Sequence, residues 1–200
     1  MRKKVALVLG GGAALGFAHL GVLKVLEENK IPVDIIVGTS MGALIGAVYC
    51  SGAKLDDMSA FASKFRTRDF FDVNFNASGL FSGKGVMRFI GKILPDVQIE
   101  NLSKTFACVA CDLNTEKEIV FKTGSLRNAV RSSMSIPGIF VPVSIDDMLL
   151  VDGGIINNLP EDVAMEMGAD VIISVDVMSN YHMKNKPRNI VDSIFASMNI

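Results

Sequence analysis

The sequence predicts an α/β layered fold, with a central, mainly parallel sheet flanked by helices. Two observations carry that reading. Short apolar runs closed by glycine turns recur along the chain, and stretches with helical spacing alternate with them. Alternation of this kind places successive strands side by side with helices on the faces. The chain has 200 residues, half of them apolar, which suffices for one sizeable core and falls short of two ordinary ones. We read residues 1–200 as a single domain.

Taken in order, Lys4 to Leu9 is a short apolar run ending in Gly10-Gly11-Gly12, and Gly16 to Asn29 then carries Leu20, Leu23, Val25 and Leu26 at near-helical spacing. Asp34 to Val37 is a second apolar run, closed by Gly38-Thr39-Ser40-Met41-Gly42 and followed by a helix over Ala43 to Tyr49. Gly42 and Gly46 lie four apart on that helix and leave one face without side-chain bulk, so it can lie close against the sheet. Helices are expected over Leu55 to Phe65 and Gly85 to Leu94, around a stretch containing Phe70, Phe71, Phe75 and Phe81. Strands follow at Phe106 to Cys111, Glu118 to Phe121, Phe140 to Val143 and Leu149 to Val151, with a helix at Leu126 to Ser133. Asp152-Gly153-Gly154 closes the last of these strands. Pro160 opens a helix at its first position, running to Met167. Val171 to Val175 is a further strand, and Asn189 to Ile200 reads as a helix cut at its end.

Composition removes several function classes. Twenty basic and 21 acidic residues give a formal net charge of −1, so no whole-molecule field draws the chain to nucleic acid or acidic lipid. Cys50, Cys108 and Cys111 are an odd count without a disulfide framework, which fits a reducing compartment. Cys108 and Cys111 form a C-x-x-C, but on a strand residues three apart point to opposite faces, and no second Cys or His pair completes a zinc site. No cofactor or metal is expected. Met1-Arg-Lys-Lys before Val5 to Leu9 looks like the start of a secretory signal, yet glycines interrupt the apolar run and an amphipathic pattern follows. No stretch has the unbroken apolar length of a membrane span. The expected location is cytoplasmic, with any membrane contact local and peripheral.

Ligands of such sheets sit beyond the carboxyl ends of the strands, where this chain places three unusual turns. Gly38 to Gly42 matches G-x-S-x-G between a strand and a helix, the context of a nucleophile elbow. Side chains in place of its glycines would collide with neighbouring strands. The turn aims Ser40 at a helix N-terminus, whose free N–H groups favour an anion. A plain Ser N-cap or a phosphate-cradling loop are the alternatives. In Gly10-Gly11-Gly12-Ala13-Ala14-Leu15-Gly16 the dinucleotide register fails: starting at Gly10 puts Leu15 at the third glycine position, and starting at Gly11 puts Ala13 at the second. The same turn can instead present backbone N–H donors to an oxyanion, from Gly11, Gly12 and Ala13, or be a tight turn with no ligand. Asp152 ends a hydrophobic strand at the same sheet edge as Ser40, and Gly153 and Gly154 let another backbone approach. It is a candidate base, or simply a turn residue.

Histidine is the usual base for serine. His19 lies one turn into the first helix and reads as a packed or capping residue. Ser40, Asp152 and His182 follow the chain order of an α/β-hydrolase triad, but His182 sits in a polar, exposed-looking stretch, Asn180 to Lys186.

These motifs together resemble the patatin-like phospholipases in their compact bacterial form, along most of the chain. The resemblance is carried by Gly10 to Gly16 with Ala18-His19-Leu20-Gly21-Val22-Leu23, by Gly38 to Gly42, by Ser132 to Val143 with its Ile136-Pro137-Gly138 turn, and by Asp152-Gly153-Gly154. It implies a Ser40–Asp152 dyad without histidine and an oxyanion hole in the first glycine loop. Two positions depart from the family pattern. Leu15 stands where Arg or Lys is usual, and Ala13 where glycine is usual. Ala13 can still donate its N–H provided its φ stays negative. Members also often extend past the point where this chain stops, which suggests a short or truncated version.

The expected function is therefore a serine-dependent lipid acyl hydrolase (phospholipase, lysophospholipase or esterase) working through an acyl-enzyme. Acyl transfer on the same dyad and a non-catalytic phosphate- or nucleotide-binding module are the alternatives. Lys84, Arg88 and Lys92 form one stripe of a helix that also carries Val86, Met87, Ile90, Ile93 and Leu94. Such a helix suits a membrane surface, although a surface helix covering the core is the better reading. The oligomeric state is left open.

Overall fold

The computed structural model describes residues 2–64 and 81–179. Phe70, Phe71, Phe75, His182 and the expected helix over Asn189 to Ile200 lie outside them. The described elements are β1 (Val5–Leu9), α1 (His19–Glu28), β2 (Ile35–Thr39), α2 (Met41–Cys50), α3 (Leu55–Lys64), α4 (Lys84–Ile93), β3 (Thr105–Asp112), β4 (Lys117–Phe121), α5 (Leu126–Ser133), β5 (Val143–Ile145), β6 (Met148–Asp152), α6 (Glu161–Glu166) and β7 (Val171–Val175).

One seven-stranded sheet runs in the order β5-β6-β3-β2-β1-β7, with β4 also paired to β3. The parallel pairs are β7-β1, β1-β2 and β2-β3; β4, β6 and β5 add antiparallel pairs on the β3 side. Val5–Leu9, the run that looks like the apolar part of a leader, is an interior strand paired on both edges. Its alternation splits the core in two. Leu7 and Leu9, with Ile36, Phe106 and Cys108, face a large cluster filled from α1 to α5; Ala6 and Val8, with Ile35, Val37, Ala107 and Val109, face a smaller one filled by Val163 and Ala164 of α6. The sheet is thus the middle of three layers.

Register on β3 decides where the chemistry sits. Residues 108–112 of β3 pair with β4, 105–109 with β2 and 110–112 with β6. A strand has two edges, and β4 overlaps both of the others, so β2 and β6 must share the opposite edge end to end. Thr39 is opposite Val109 and Asp152 is opposite Ala110, so the carboxyl ends of β2 and β6 meet head to head. Neither strand can continue. A Cβ on Gly153, one residue further along β6, would lie 2.4 Å from the Val109 carbonyl oxygen. Both chains turn away sharply at this junction, β2 into α2 and β6 into a short 3-10 turn at Gly153–Ile155.

The helix α2 holds its place by close approach. A Cβ on Gly42 would come within 2.0 Å of the Leu9 carbonyl oxygen, and one on Gly46 within 2.8 Å of Ile36 Cγ2. All ten residues of α2 are buried.

Three of the boundary differences have a cause in a local turn or cap. The first helix begins at His19, because the glycine loop leads into a 3-10 turn over Ala13–Ala18. The strand expected at Phe140 begins at Val143. Hydrogen bonds from the N–H groups of Ile139 and Phe140 to the Ile136 carbonyl hold residues 136–140 as a turn, and Pro142 has no N–H for a ladder. In place of a ladder, Phe140 forms an isolated β-bridge with Phe81. Pro160 is the residue before α6 rather than its first.

Candidate active site

Ser40 occupies the single residue between β2 and α2, with φ 54° and ψ −119°. A non-glycine residue there is strained, and its neighbours must hold it. Its N–H donates to Ser133 Oγ at 2.8 Å, and its carbonyl accepts from the Leu44 N–H at 3.1 Å. The hydroxyl makes no capping bond to α2. It donates to Asp152 Oδ2 at 2.6 Å. A plain N-cap would turn the side chain toward the helix; here it is turned toward the acid.

Asp152 uses its two oxygens differently. Oδ1 accepts from the Gly154 N–H at 2.8 Å, the turn-residue role, while Oδ2 faces Ser40. The Asp152 N–H donates to the Ser135 carbonyl at 2.9 Å. Asp152 is fully buried and Ser40 nearly so, at 7% exposure. Loss of solvation raises the Asp152 pKa to about 6, against the smaller lowering effects of its bonds from Ser40 and Gly154. A buried carboxylate is a stronger base than a solvated one, and its titration falls near the range usual for histidine.

The first glycine loop lies against the serine: a Cβ on Gly11 would stand 3.2 Å from Ser40 Cβ and 2.4 Å from Asn158 Oδ1. Of the three expected donors, Gly11 is already engaged, since its N–H bonds the Asn158 carbonyl at 3.1 Å. The N–H groups of Gly12 and Ala13 meet no acceptor among the described residues. Ala13 has φ 46°, so the condition of negative φ fails and alanine adopts a left-handed conformation that glycine takes at no cost. Gly10 donates its N–H to the Val175 carbonyl, and a Cβ on Gly16 would press on Met41. Gly38 abuts the start of α2, where a Cβ would lie 2.6 Å from the Gly42 carbonyl oxygen. Leu15 is 41% exposed.

His19 is packed, as its position on the first helix suggests. It is fully buried with Nε2 2.8 Å from the Gly10 carbonyl oxygen. A carbonyl only accepts, so Nε2 carries the proton. Burial lowers the His19 pKa, and the ring stays neutral. Cys108 and Cys111 are free thiols on β3, with burial raising both pKa values, and Cys108 belongs to the larger core cluster. Among the described residues no group of His, Cys, Asp or Glu could hold a metal ion, and no helix is long and apolar enough to cross a membrane.

Sequence reading missed several residues that fix this geometry. Ser133 receives the Ser40 N–H, Arg131 donates to Ser135 Oγ and to the Val141 carbonyl, and Thr39 Oγ1 donates to the Asn157 carbonyl at 2.9 Å. Ser133 and Ser135 lie inside the Ser132 to Val143 motif, which gave a place to look. Asn157-Asn158 carried no signal beyond that of an ordinary turn.

Fold and layout together define an α/β protein with a serine elbow whose hydroxyl meets a buried carboxylate. Comparison with known proteins is specific. The patatin-like phospholipase family model matches residues 7–165. The chain is 40% identical over 188 residues to mouse patatin-like phospholipase domain-containing protein 6, covering 88% of this chain and 14% of that protein. Identity is also 40% over 183 residues to neuropathy target esterase sws of Drosophila melanogaster and to lysophospholipase nte1 of Aspergillus fumigatus, each over 88% of this chain and 13% and 12% of theirs. Among solved structures, VipD from Legionella pneumophila superposes with a TM-score of 0.59 at 16% identity, over 79% of this chain and 47% of that one, a likeness of fold. The chain belongs to the patatin-like phospholipase family, a family of lipid ester hydrolases. It spans only 12–14% of the length of these curated relatives.

Proposed function

We propose that the chain is a serine-dependent lipid acyl hydrolase in which Ser40 is the nucleophile and Asp152 its base. The observation that carries the reading is the 2.6 Å hydrogen bond from Ser40 Oγ to a carboxylate with no solvent exposure. Ser40 Oγ attacks the ester carbonyl while its proton passes to Asp152 Oδ2. The carbonyl oxygen becomes an oxyanion held by the N–H of Gly12, with Gly11 supplying close approach in place of a donor and Ala13 set aside by its positive φ. Collapse of this intermediate breaks the ester C–O bond, and the leaving alcohol takes the proton from Asp152. Water then attacks the acyl-Ser40 carbon and gives a proton to Asp152, which returns it to Ser40 as the fatty acid departs.

Burial helps twice: it raises the basicity of Asp152 and strengthens the electrostatic hold on the oxyanion. An apolar substrate suits the surroundings, because both segments that bracket Ser40 carry exposed apolar side chains, Leu15 at 41% and Ile155 and Ile156 at 42% and 43%. The names lysophospholipase and esterase among the relatives favour a single-chain acyl ester as the first substrate to try.

The test pairs chemistry with labelling. Wild type releases fatty acid from lysophosphatidylcholine and takes a fluorophosphonate adduct on Ser40, and Ser40→Ala does neither. Nucleotide or phosphate binding without labelling would favour a binding module instead. Acyl products on an added alcohol in place of free fatty acid would favour a transferase.

A further inference from the structure

Three consecutive glycines have no conformational preference of their own, so the peptide planes of Gly10-Gly11-Gly12 must be fixed from outside. Three hydrogen bonds do so. The Gly10–Gly11 plane is held at both ends: His19 Nε2–H donates to the Gly10 carbonyl at 2.8 Å, and the Gly11 N–H donates to the Asn158 carbonyl at 3.1 Å. The next plane is held at one end, where Asn158 Nδ2 donates to the Gly11 carbonyl at 3.3 Å. No peptide bond in the described chain is cis. In a trans peptide the C=O of one residue and the N–H of the next point in opposite directions in one plane. Fixing the Gly11 carbonyl therefore fixes the direction of the Gly12 N–H, which meets no acceptor among the described residues.

Asn158 is well placed for the task. It lies six residues beyond Asp152, and the segment between touches each part of the site: Asp152 meets Ser40, the Asn157 carbonyl accepts from Thr39 Oγ1, and Asn158 grips Gly11 from both sides. The side-chain oxygen of Asn158 faces the Gly11 Cα, where a Cβ would lie 2.4 Å from it, so the gap is filled without slack.

We propose that Asn158 is the positioning residue of the oxyanion hole, its side-chain amide setting the direction of the Gly12 N–H. The proposal rests on the functional reading above. Because the bound ester carries no oxyanion, which develops only on the way to and in the tetrahedral intermediate, loss of its donor lowers kcat and leaves KM nearly unchanged. Removing the Asn158 amide lets the Gly11–Gly12 plane rotate, and kcat falls by about 10- to 100-fold, less than for deletion of a donor.

The experiment compares wild type, Asn158→Ala and Asn158→Asp on a p-nitrophenyl ester and on its thionoester, whose sulfur is a larger and weaker acceptor. Aligned donors discriminate against sulfur; misdirected ones do so less. Both variants are expected to lose kcat at near-constant KM, to shrink the ester-to-thionoester rate ratio, and to slow fluorophosphonate labelling of Ser40 in parallel. Should Asn158→Ala not fold by near-UV circular dichroism, Asn158→Asp, which keeps the size and the Oδ1 contact, supplies the ratio. A folded variant with kcat within about twofold of wild type overturns the proposal, as does a kcat loss with an unchanged thionoester ratio, which marks general loosening. If wild type itself is neither labelled nor active, the functional reading fails. If wild type is labelled and active while the variants match it, only the role of Asn158 fails.

Discussion

At Asp152 the chain holds an acid that ionises against its surroundings, and this has consequences for stability as well as for rate. Its pKa is 3.8 in a solvated chain and about 6 in the fold. The folded state therefore binds the proton more tightly than the unfolded one. This stabilising contribution is complete below about pH 4 and is lost as pH rises through 6. Asp152→Asn removes the ionisation, so at pH 8 the variant is more stable than wild type by about 1 to 3 kcal/mol, and at pH 4 the gain vanishes. Urea unfolding at the two pH values measures it. On the proposed mechanism the same substitution lowers ester turnover by about a thousandfold or more, because it would remove the base of the serine. Ala13 stores strain of another kind. Replacing it with glycine at φ 46° raises stability by up to about 1 kcal/mol, the left-handed cost of alanine offset in part by the greater freedom of unfolded glycine. A thermal melt of Ala13→Gly reads this directly.

Among the elements, α2 has the least room. Gly42→Ala drives a Cβ into the Leu9 carbonyl and costs about 2 to 4 kcal/mol by denaturant titration. The helix α4 carries its cations on one side and buries Gly85, Val86, Phe89 and Ile90 on the other. Most of its apolar face is committed to the core, with Met87 and Ile93 half-buried, so the exposed side that a membrane would meet is dominated by charge. Reversing Lys84, Arg88 and Lys92 should therefore leave flotation with zwitterionic liposomes unchanged; loss of that binding would make α4 the contact. Much of this level was legible in the sequence. The helices at 41–50, 84–93 and 126–133 and the strands β1, β2, β3 and β7 announce themselves through period and through glycine punctuation. What the sequence could not tell was the delayed start of α1 and of β5, since each depends on how a glycine or proline turn hydrogen-bonds. The elbow was legible because G-x-S-x-G sits between a strand and a helix. The clamp by Asn157 and Asn158 was not, because a turn asparagine looks the same whether or not it grips a distant loop.

For the whole molecule, the decisive feature is the head-to-head meeting of β2 and β6 on one edge of β3. It brings residues 112 positions apart into hydrogen-bond contact and forces both strands to turn where they meet. Sequence reading put Ser40 and Asp152 at the same edge of the sheet, but not the register that joins them, since pairing between distant strands leaves no local mark. The buried setting also moves the expected pH profile. A solvated carboxylate would place the acid limb near pH 4, well apart from a histidine. Burial brings it to about 6, so the position of the limb no longer identifies the base and only its response to substitution does. The most direct measurement is the pH dependence of the rate at which a fluorophosphonate labels Ser40 in His182→Ala. We predict that the rate falls below about pH 6 with the same midpoint as in wild type, because Asp152 is the titrating base. Disappearance of that limb in His182→Ala, or an adduct on a residue other than Ser40, would contradict the Ser40–Asp152 dyad.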